Sequence, residues 1–115
     1  MTVALFSYGT LQLPRVQIAN YGHELSGRPD ALLGYRLAPL EINDPEVVRV
    51  SGKAVHTIAR ATGDRADRIE GMLLELSEEE LVATDAYEVG AYARIEAELE
   101  SGITAWVYVG PPFRT

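Results

Sequence analysis

The 115-residue chain contains no cysteine and only two histidines. Without cysteine it cannot form a disulfide, a thiolate metal site or a thiol nucleophile, which fits a reducing compartment. The histidines, His23 and His56, lie far apart in the sequence and show neither His-x-x-x-His nor His-x-Glu spacing. We therefore expect packed or surface histidines and no metal site.

Basic residues are few and dispersed. Ten Lys and Arg stand against seventeen Asp and Glu, so the net charge is -7. The basic residues form no stripe, and the negative charge would repel a polyphosphate, so no nucleic-acid partner is expected. A small anionic ligand remains compatible with this charge, because backbone amides can bind a carboxylate without a basic side chain.

Nucleotide motifs and long apolar runs are also missing. The chain has no Gly-x-Gly-x-x-Gly, no phosphate-binding loop and no nucleophile elbow, which disfavours nucleotide chemistry. No apolar run approaches membrane-spanning length, and residues 1–6 lack the features of a secretory signal. We therefore expect no membrane contact and a cytoplasmic location. The length and the 47% hydrophobic content predict a single domain over residues 1–115.

The first half of the chain favours strands with one short helix. Val3 to Tyr8 is an apolar run ended by a glycine, which predicts a buried strand. Pro14 suits the first turn of a helix over residues 14–22. Ala31 to Ile42 is leucine-rich but interrupted by glycine and proline, which predicts extended chain with a bend. Further short strands are predicted at Val47–Val50, Ala54–Ala59 and Arg68–Leu76.

A helix-start signal follows these strands. Ser77 and Glu80 form a Ser-x-x-Glu capping box, with further acidic residues in the first turn, where the helix dipole favours them. The helix is predicted over residues 78–88 and should end near Gly90, which can adopt the left-handed cap conformation. Leu81, Thr84 or Asp85, and Glu88 would then share one face.

The C-terminal part predicts a hairpin. Residues 91–100 alternate apolar with polar side chains, and Ser101-Gly102 turns the chain into a second strand over residues 103–109. A two-residue loop would direct Trp106 and Tyr108 to the interior, whereas a three-residue loop would reverse them. With this hairpin the elements predict an α+β fold, and we expect a small mixed β-barrel with short flanking helices, because closure leaves few exposed edges.

Two places in the chain could carry chemistry. At Tyr8-Gly9-Thr10-Leu11 a strand enters a loop, and glycine lets backbone amides approach a carboxylate or oxyanion closely; an ordinary turn is the alternative. Glu88 falls at the end of the predicted helix, where exposed carbonyls should raise the pKa of the side chain and suit it to proton transfer. A solvated surface carboxylate is the alternative there, and Tyr92 and Arg94 could equally be strand surface.

Taken together, these segments resemble the gamma-glutamylcyclotransferase-like family. The motifs that carry the resemblance run in order along nearly the whole chain: Tyr8-Gly9-Thr10-Leu11, Gly34-Tyr35-Arg36, Glu70-Gly71, Asp85-Ala86-Tyr87-Glu88, Tyr92-x-Arg94 and Ala105-Trp106-Val107-Tyr108. The resemblance implies a small mixed barrel in which the loop of Tyr8, Gly9, Thr10 and Leu11 holds the substrate and Glu88 moves protons.

The resemblance also implies a reaction. Family members cleave gamma-glutamyl amides by attack of the substrate's own α-amine on its side-chain carbonyl, which releases 5-oxoproline and a free amine without a cofactor. Tyr92 and Tyr108 are expected to contact this small-molecule substrate, Tyr108 by donating a hydrogen bond if it faces inward. The alternatives are a non-catalytic domain that binds a small molecule or protein on the same scaffold, and a purely structural interaction module.

Overall fold

A computed structural model describes residues 2–41, 55–87 and 93–110. Within these residues the elements are β1 (Thr2–Ser7), a 3-10 turn (Thr10–Gln12), α1 (Pro14–Tyr21), β2 (Ser26–Leu33), β3 (Tyr35–Glu41), β4 (Val55–Ala61), β5 (Arg68–Ser77), α2 (Glu78–Tyr87), β6 (Ala93–Glu98) and β7 (Thr104–Val109). The strand predicted at Val47–Val50 and the helix end near Gly90 lie outside the described residues.

The bend predicted after residue 31 is confirmed. It falls at Gly34, whose φ of 84° is in the left-handed region that favours glycine, and it separates β2 from β3. β2 begins at Ser26, earlier than the pattern predicts. Its whole length pairs with β5, from Ser26 opposite Glu75 to Leu33 opposite Arg68, so tertiary pairing holds a segment that contains glycine and proline in extended form.

The capping box forms as predicted. The Ser77 N–H donates to Glu80 Oε1 at 2.7 Å, and the Glu80 N–H donates to Ser77 Oγ at 3.0 Å. These bonds satisfy two groups at the helix start, and acidic side chains occupy the first turn. Leu81 and Thr84, which were predicted to share a face of α2, are both buried. Glu88, predicted on the same face, lies outside the described residues.

The C-terminal hairpin has the three-residue loop. Glu98 pairs with Thr104 and Arg94 with Tyr108, and Leu99 N–H donates to the Ile103 carbonyl at 2.9 Å, which leaves residues 100–102 as the loop. Ala105, Val107 and Val109 therefore share one face of β7, and Trp106 and Tyr108 lie on the other face. The expectation that this loop turns Tyr108 away from the interior is wrong, because the second face is also covered and Tyr108 is buried there.

The seven strands form one mixed sheet in the order β2-β5-β1-β7-β4-β3, with β6 also paired to β7. β7 is parallel to β1 and β4 and antiparallel to β6. The predicted α+β class is confirmed, but the predicted closed barrel is wrong: the sheet is open.

β2 and the end of β6 approach each other without closing the sheet. Among the described residues, one isolated β-bridge, between Leu32 and Leu99, joins the two. Beside it, the Glu100 N–H donates to the Ala31 carbonyl at 2.9 Å. Pro29 lacks an N–H along the β2 edge, and Glu96 and Glu98 are exposed on β6. Proline and charge thus protect these edges from pairing with another chain, in place of barrel closure.

Two apolar clusters lie on opposite faces of the sheet. The strand core is built from the strands and their connections and includes Phe6, Leu32 and Val107. The helix core lies beneath α1, α2 and the 3-10 turn and includes Leu11, Val16, Leu81 and Tyr108. Within residues 2–41, 55–87 and 93–110, no helix has the length and apolar character needed to cross a membrane.

Candidate active site

The Tyr8-Gly9-Thr10-Leu11 loop begins where β1 crosses Gly71 of β5. A Cβ atom placed on Gly71 would lie against the Ser7 carbonyl oxygen, closer than van der Waals contact, and near the Phe6 ring. Only a residue without a side chain permits this approach. Glycine at position 71 therefore lets the chain leave the sheet at Ser7, which gives a structural reason for the Glu70-Gly71 motif.

The Tyr8 side chain anchors the start of this loop. Its hydroxyl accepts a hydrogen bond from the Ala59 N–H at 2.9 Å and donates one to the Tyr108 carbonyl at 2.5 Å. Ala59 and Val109 pair β4 with β7 at the same place. Tyr8 thus joins two parallel strands through one hydroxyl group, and its contact with a substrate stays a prediction.

Gly9 opens onto free space. Its φ of -126° and ψ of -146° lie outside the left-handed region, and a Cβ atom built there would meet nothing within 4 Å. The hydrogen bonds of the 3-10 turn begin with the Gln12 N–H, which donates to the Gly9 carbonyl at 3.2 Å. The Gly9 N–H donates to the Ser7 hydroxyl at 3.5 Å, which ties the start of the loop to the end of β1.

Gln17 of α1 holds this turn from behind. It is 5% exposed, its Nε2 donates to the Leu11 carbonyl at 2.8 Å, and its Oε1 accepts from the Leu25 N–H at 2.8 Å. Both ends of the amide are thereby satisfied, as burial requires. Gln17 is not among the predicted site residues, because its only signal in the sequence is a polar residue beside Val16 in a short helix.

A second set of contacts gathers at the last turn of α2. The Asp85 carboxylate accepts hydrogen bonds from Tyr108 Oη at 2.6 Å and from Arg94 Nε at 2.8 Å and Nη2 at 3.1 Å. The Arg94 guanidinium carbon lies 4.4 Å from the centroid of the Trp106 ring. We call these four residues the Asp85 cluster.

Tyr108 brings the loop and the helix end together. Its carbonyl accepts from Tyr8, its hydroxyl donates to Asp85, and its 7% exposed side chain packs in the helix core with Leu11. Glu88 follows α2 directly in the sequence. Glu88 and Tyr92 lie outside the described residues, so the pKa and position predicted for Glu88 stay predictions.

α1 and α2 are also joined to each other. The hydroxyls of Tyr21 and the fully buried Thr84 share a hydrogen bond, and His23 Nε2 lies 2.5 Å from Glu80 Oε2. The hydrogen bond to Glu80 raises the pKa of His23 above its ordinary value. The pKa of Glu80 is lowered, mainly by the Ser77 backbone N–H and also by His23, against the opposing effect of burial.

An open cleft of about 620 Å³ lies between β2, β5 and the loop that joins β6 to β7, with Asp30, Arg68 and Ser101 in its wall. Gln12 is the residue of the 3-10 turn that reaches it, and the predicted site residues Tyr8 to Leu11 and Tyr108 do not line it. Among the described residues, no group of three acidic or histidine side chains is arranged to hold a metal ion.

Several solved structures share this fold. A protein described as a gamma-glutamyl cyclotransferase has a TM-score of 0.75 and 14% identity, covering 99% of this chain and 69% of that chain. A human protein described as uncharacterized has a TM-score of 0.72 and 16% identity, over 98% of this chain and 69% of that one. An Arabidopsis thaliana protein solved in solution has a TM-score of 0.70 and 20% identity, over 96% of this chain and 62% of that one.

At these identities the similarity establishes the fold, and the chain spans less than two thirds of the length of the Arabidopsis protein. No curated protein matches the sequence significantly. The profile of the family described as gamma-glutamyl cyclotransferase, AIG2-like, matches residues 5–114. The chain therefore belongs to the AIG2-like gamma-glutamyl cyclotransferase family.

Proposed function

We propose that the protein is a gamma-glutamyl cyclotransferase, which releases 5-oxoproline and a free amine from a small gamma-glutamyl amide. The observation that carries this proposal is the meeting of the Tyr8 loop and the last turn of α2 on Tyr108. Membership of the family supports the reaction class.

The reaction asks little of the protein beyond geometry and proton transfer. The α-amine nitrogen forms a bond to the side-chain carbonyl carbon, and the bond from that carbon to the leaving nitrogen breaks. Because both reacting groups belong to one molecule, the enzyme must mainly hold a near-attack conformer and stabilise the oxyanion. One carboxylate suffices for the protons, and no cofactor is required.

We assign the proton transfer to Glu88. As general base it removes a proton from the substrate ammonium, and as general acid it returns that proton to the leaving amine. The backbone amides of Gly9, Thr10 and Leu11 bind the substrate carboxylate or the developing oxyanion. The open space beside Gly9, where a built Cβ would meet nothing within 4 Å, supports this role.

The aromatic residues complete the assignment. Tyr8, Tyr92 and Tyr108 line the substrate site, and the two hydrogen bonds of the Tyr8 hydroxyl keep the loop against β4 and β7. Since the Tyr108 hydroxyl donates to Asp85, its contribution to the site is to shape the wall that the substrate meets.

A panel of gamma-glutamyl amides tests this function. The purified protein is incubated with amides that differ in the leaving amine, and mass spectrometry follows both products. We expect equal amounts of 5-oxoproline and free amine from at least one member. Binding of a panel member, measured by calorimetry, with no product at any protein concentration would replace the enzyme by a binding domain on the same scaffold.

A further inference from the structure

The Asp85 cluster ties three elements together through one carboxylate. Asp85 belongs to α2, Arg94 to β6, and Tyr108 to β7. Arg94 approaches both carboxylate oxygens, a bidentate arrangement that fixes the relative orientation of the two groups as well as their distance. The Tyr108 hydroxyl adds a third hydrogen bond to Oδ1.

Arg94 is held from two directions. In the hairpin it pairs directly with Tyr108, and its guanidinium lies over the Trp106 ring, two residues along the same face of β7. A cation above an aromatic face is attracted to it, and the planar guanidinium can stack while it donates at its edge. The Arg94 side chain is 28% exposed and that of Asp85 40%, so the pair is partly shielded from water.

The cluster connects to the substrate loop through a short path. Asp85 accepts from the Tyr108 hydroxyl, and the Tyr108 carbonyl accepts from the Tyr8 hydroxyl. The distance between the last turn of α2 and the Tyr8 loop is thus set by two hydrogen bonds and one residue of β7. A displacement of about 1 Å between reacting groups can lower a rate by about 100-fold.

We propose that Asp85 is a positioning residue: with Arg94 and Tyr108 it sets the end of α2, which Glu88 follows in the sequence, against the loop that binds the substrate. This inference rests on the proposed function for its kinetic consequence. Its structural content, that Asp85 fixes α2 to β6 and β7, does not depend on the reaction.

Asp30 provides a matched control. Its carboxylate also accepts three hydrogen bonds, from the Ala31 N–H at 2.8 Å, the Ser101 N–H at 3.2 Å and the Ser101 hydroxyl at 2.5 Å. It joins β2 to the loop between β6 and β7, away from α2. Asp85→Asn and Asp30→Asn therefore remove the same charge from comparable networks, only one of which holds the helix.

The kinetic experiment compares these variants with Arg94→Lys. We expect Asp85→Asn to lower kcat by on the order of 100-fold with little change in KM, and Asp30→Asn to keep the wild-type kcat. Arg94→Lys should resemble Asp85→Asn, because lysine keeps the charge but cannot make the bidentate contact. A wild-type kcat in Asp85→Asn would overturn the proposal.

Amide hydrogen exchange tests separately whether Asp85 fixes α2 to β6 and β7. The amides of residues 84–87 and 93–94 should exchange faster in Asp85→Asn than in the wild type. In Asp30→Asn their exchange rates should equal those of the wild type. If the wild type converts no gamma-glutamyl amide, the proposed function fails while this measurement still tests the positioning role. Unaltered exchange at those residues in Asp85→Asn would refute it.

Discussion

β7 presents two unlike faces. Val107 and its neighbours at 105 and 109 enter the strand core, whereas Tyr108 enters the helix core and uses its hydroxyl and carbonyl to contact two other elements. The buried polar residues among those described are Ser7, Thr10, Gln17 and Thr84. All belong to the helix side, since Ser7 shares a strand face with Leu5 and the others lie in the 3-10 turn or the helices.

The difference between the faces separates two tasks. Apolar packing in the strand core stabilises the sheet without directing any group, because hydrophobic contact has no preferred direction. Buried hydrogen bonds on the helix side are directional, and each unsatisfied partner would cost free energy. We therefore expect substitutions of apolar residues in the strand core to change stability and substitutions in the buried hydrogen-bond network to change activity. Tyr8 packs against the strand core but belongs to the network through its hydroxyl.

The largest expected effect concerns Glu88, the proposed proton-transfer residue. Glu88→Gln should lower the rate of 5-oxoproline release by roughly 100 to 10,000-fold, because glutamine keeps the shape of the side chain but cannot accept the substrate's proton. Its free energy of unfolding should change by no more than about 0.5 kcal/mol. Steady-state kinetics and thermal melting measure the two quantities.

Glu98→Gln is the matched control, since Glu98 is exposed on β6. It should leave both the rate and the melting temperature near the wild-type values. Equal rates for Glu88→Gln and the wild type, on any substrate that yields 5-oxoproline, would remove Glu88 from the mechanism.

Leu32→Ala should show the reverse behaviour. Leu32 is completely buried in the strand core, so its truncation should lower the free energy of unfolding by about 2–5 kcal/mol. The kcat of the folded fraction should stay at the wild-type value. Denaturant unfolding measures the free energy of unfolding, and steady-state kinetics measure kcat. A large loss of kcat in Leu32→Ala protein shown to be folded would contradict the division between the faces.

Two glycines sharpen the comparison. Gly71→Ala should lower stability by about 1–3 kcal/mol, because the new methyl group meets the Ser7 carbonyl.

Gly9→Val should change stability by about 0.5 kcal/mol or less, because Gly9 has a negative φ and free space beside it. It should weaken substrate binding, because the valine side chain obstructs that space. Melting curves and ligand titration separate the effects, and unchanged affinity in Gly9→Val would make the loop an ordinary turn.

The smallest effect concerns pH at the junction of the helices. The raised pKa of His23 means that its contact with Glu80 stabilises the fold fully below the ordinary value of 6.5 and is lost as the pH rises through the folded-state pKa. The lowered pKa of Glu80 means that its contribution is lost as the pH falls through that pKa. The contact between His23 and Glu80 therefore stabilises the fold at pH values between the folded-state pKa of Glu80 and that of His23.

NMR titration of the His23 ring measures this effect. Glu80→Gln should return the pKa of His23 toward its ordinary value while keeping the capping box, because glutamine can also accept from the Ser77 N–H. An identical His23 titration in the wild type and in Glu80→Gln would show that the carboxylate does not control the histidine.

Local patterns predicted much of the fold. The capping box at Ser77 and Glu80, the bend within residues 31–42 and the helix starting at Pro14 all depend on neighbouring residues, and all three are confirmed. The hairpin left two registers open because Ser101-Gly102 fits loops of either length. Hydrogen bonds between the strands select the three-residue loop.

Long-range contacts could not be predicted in the same way. Tyr8 meets Ala59 and Tyr108 across 51 and 100 residues, and Asp85 meets Arg94 and Tyr108 from a different element. Barrel closure was wrong for a related reason: strand number favours closure, but the edge chemistry of Pro29 and the glutamates of β6 makes an open sheet tolerable. The motifs indicated where chemistry would lie, but not which side chains support it.

The proposed attack by the substrate's own α-amine is tested most directly by the origin of the product oxygen. The reaction is run with a converted gamma-glutamyl amide in water enriched in heavy oxygen, and the products are analysed by mass spectrometry. Intramolecular attack involves no water, so the account predicts unlabelled 5-oxoproline together with the free amine. Glutamate carrying heavy oxygen in its side-chain carboxylate would identify a hydrolase and contradict the account.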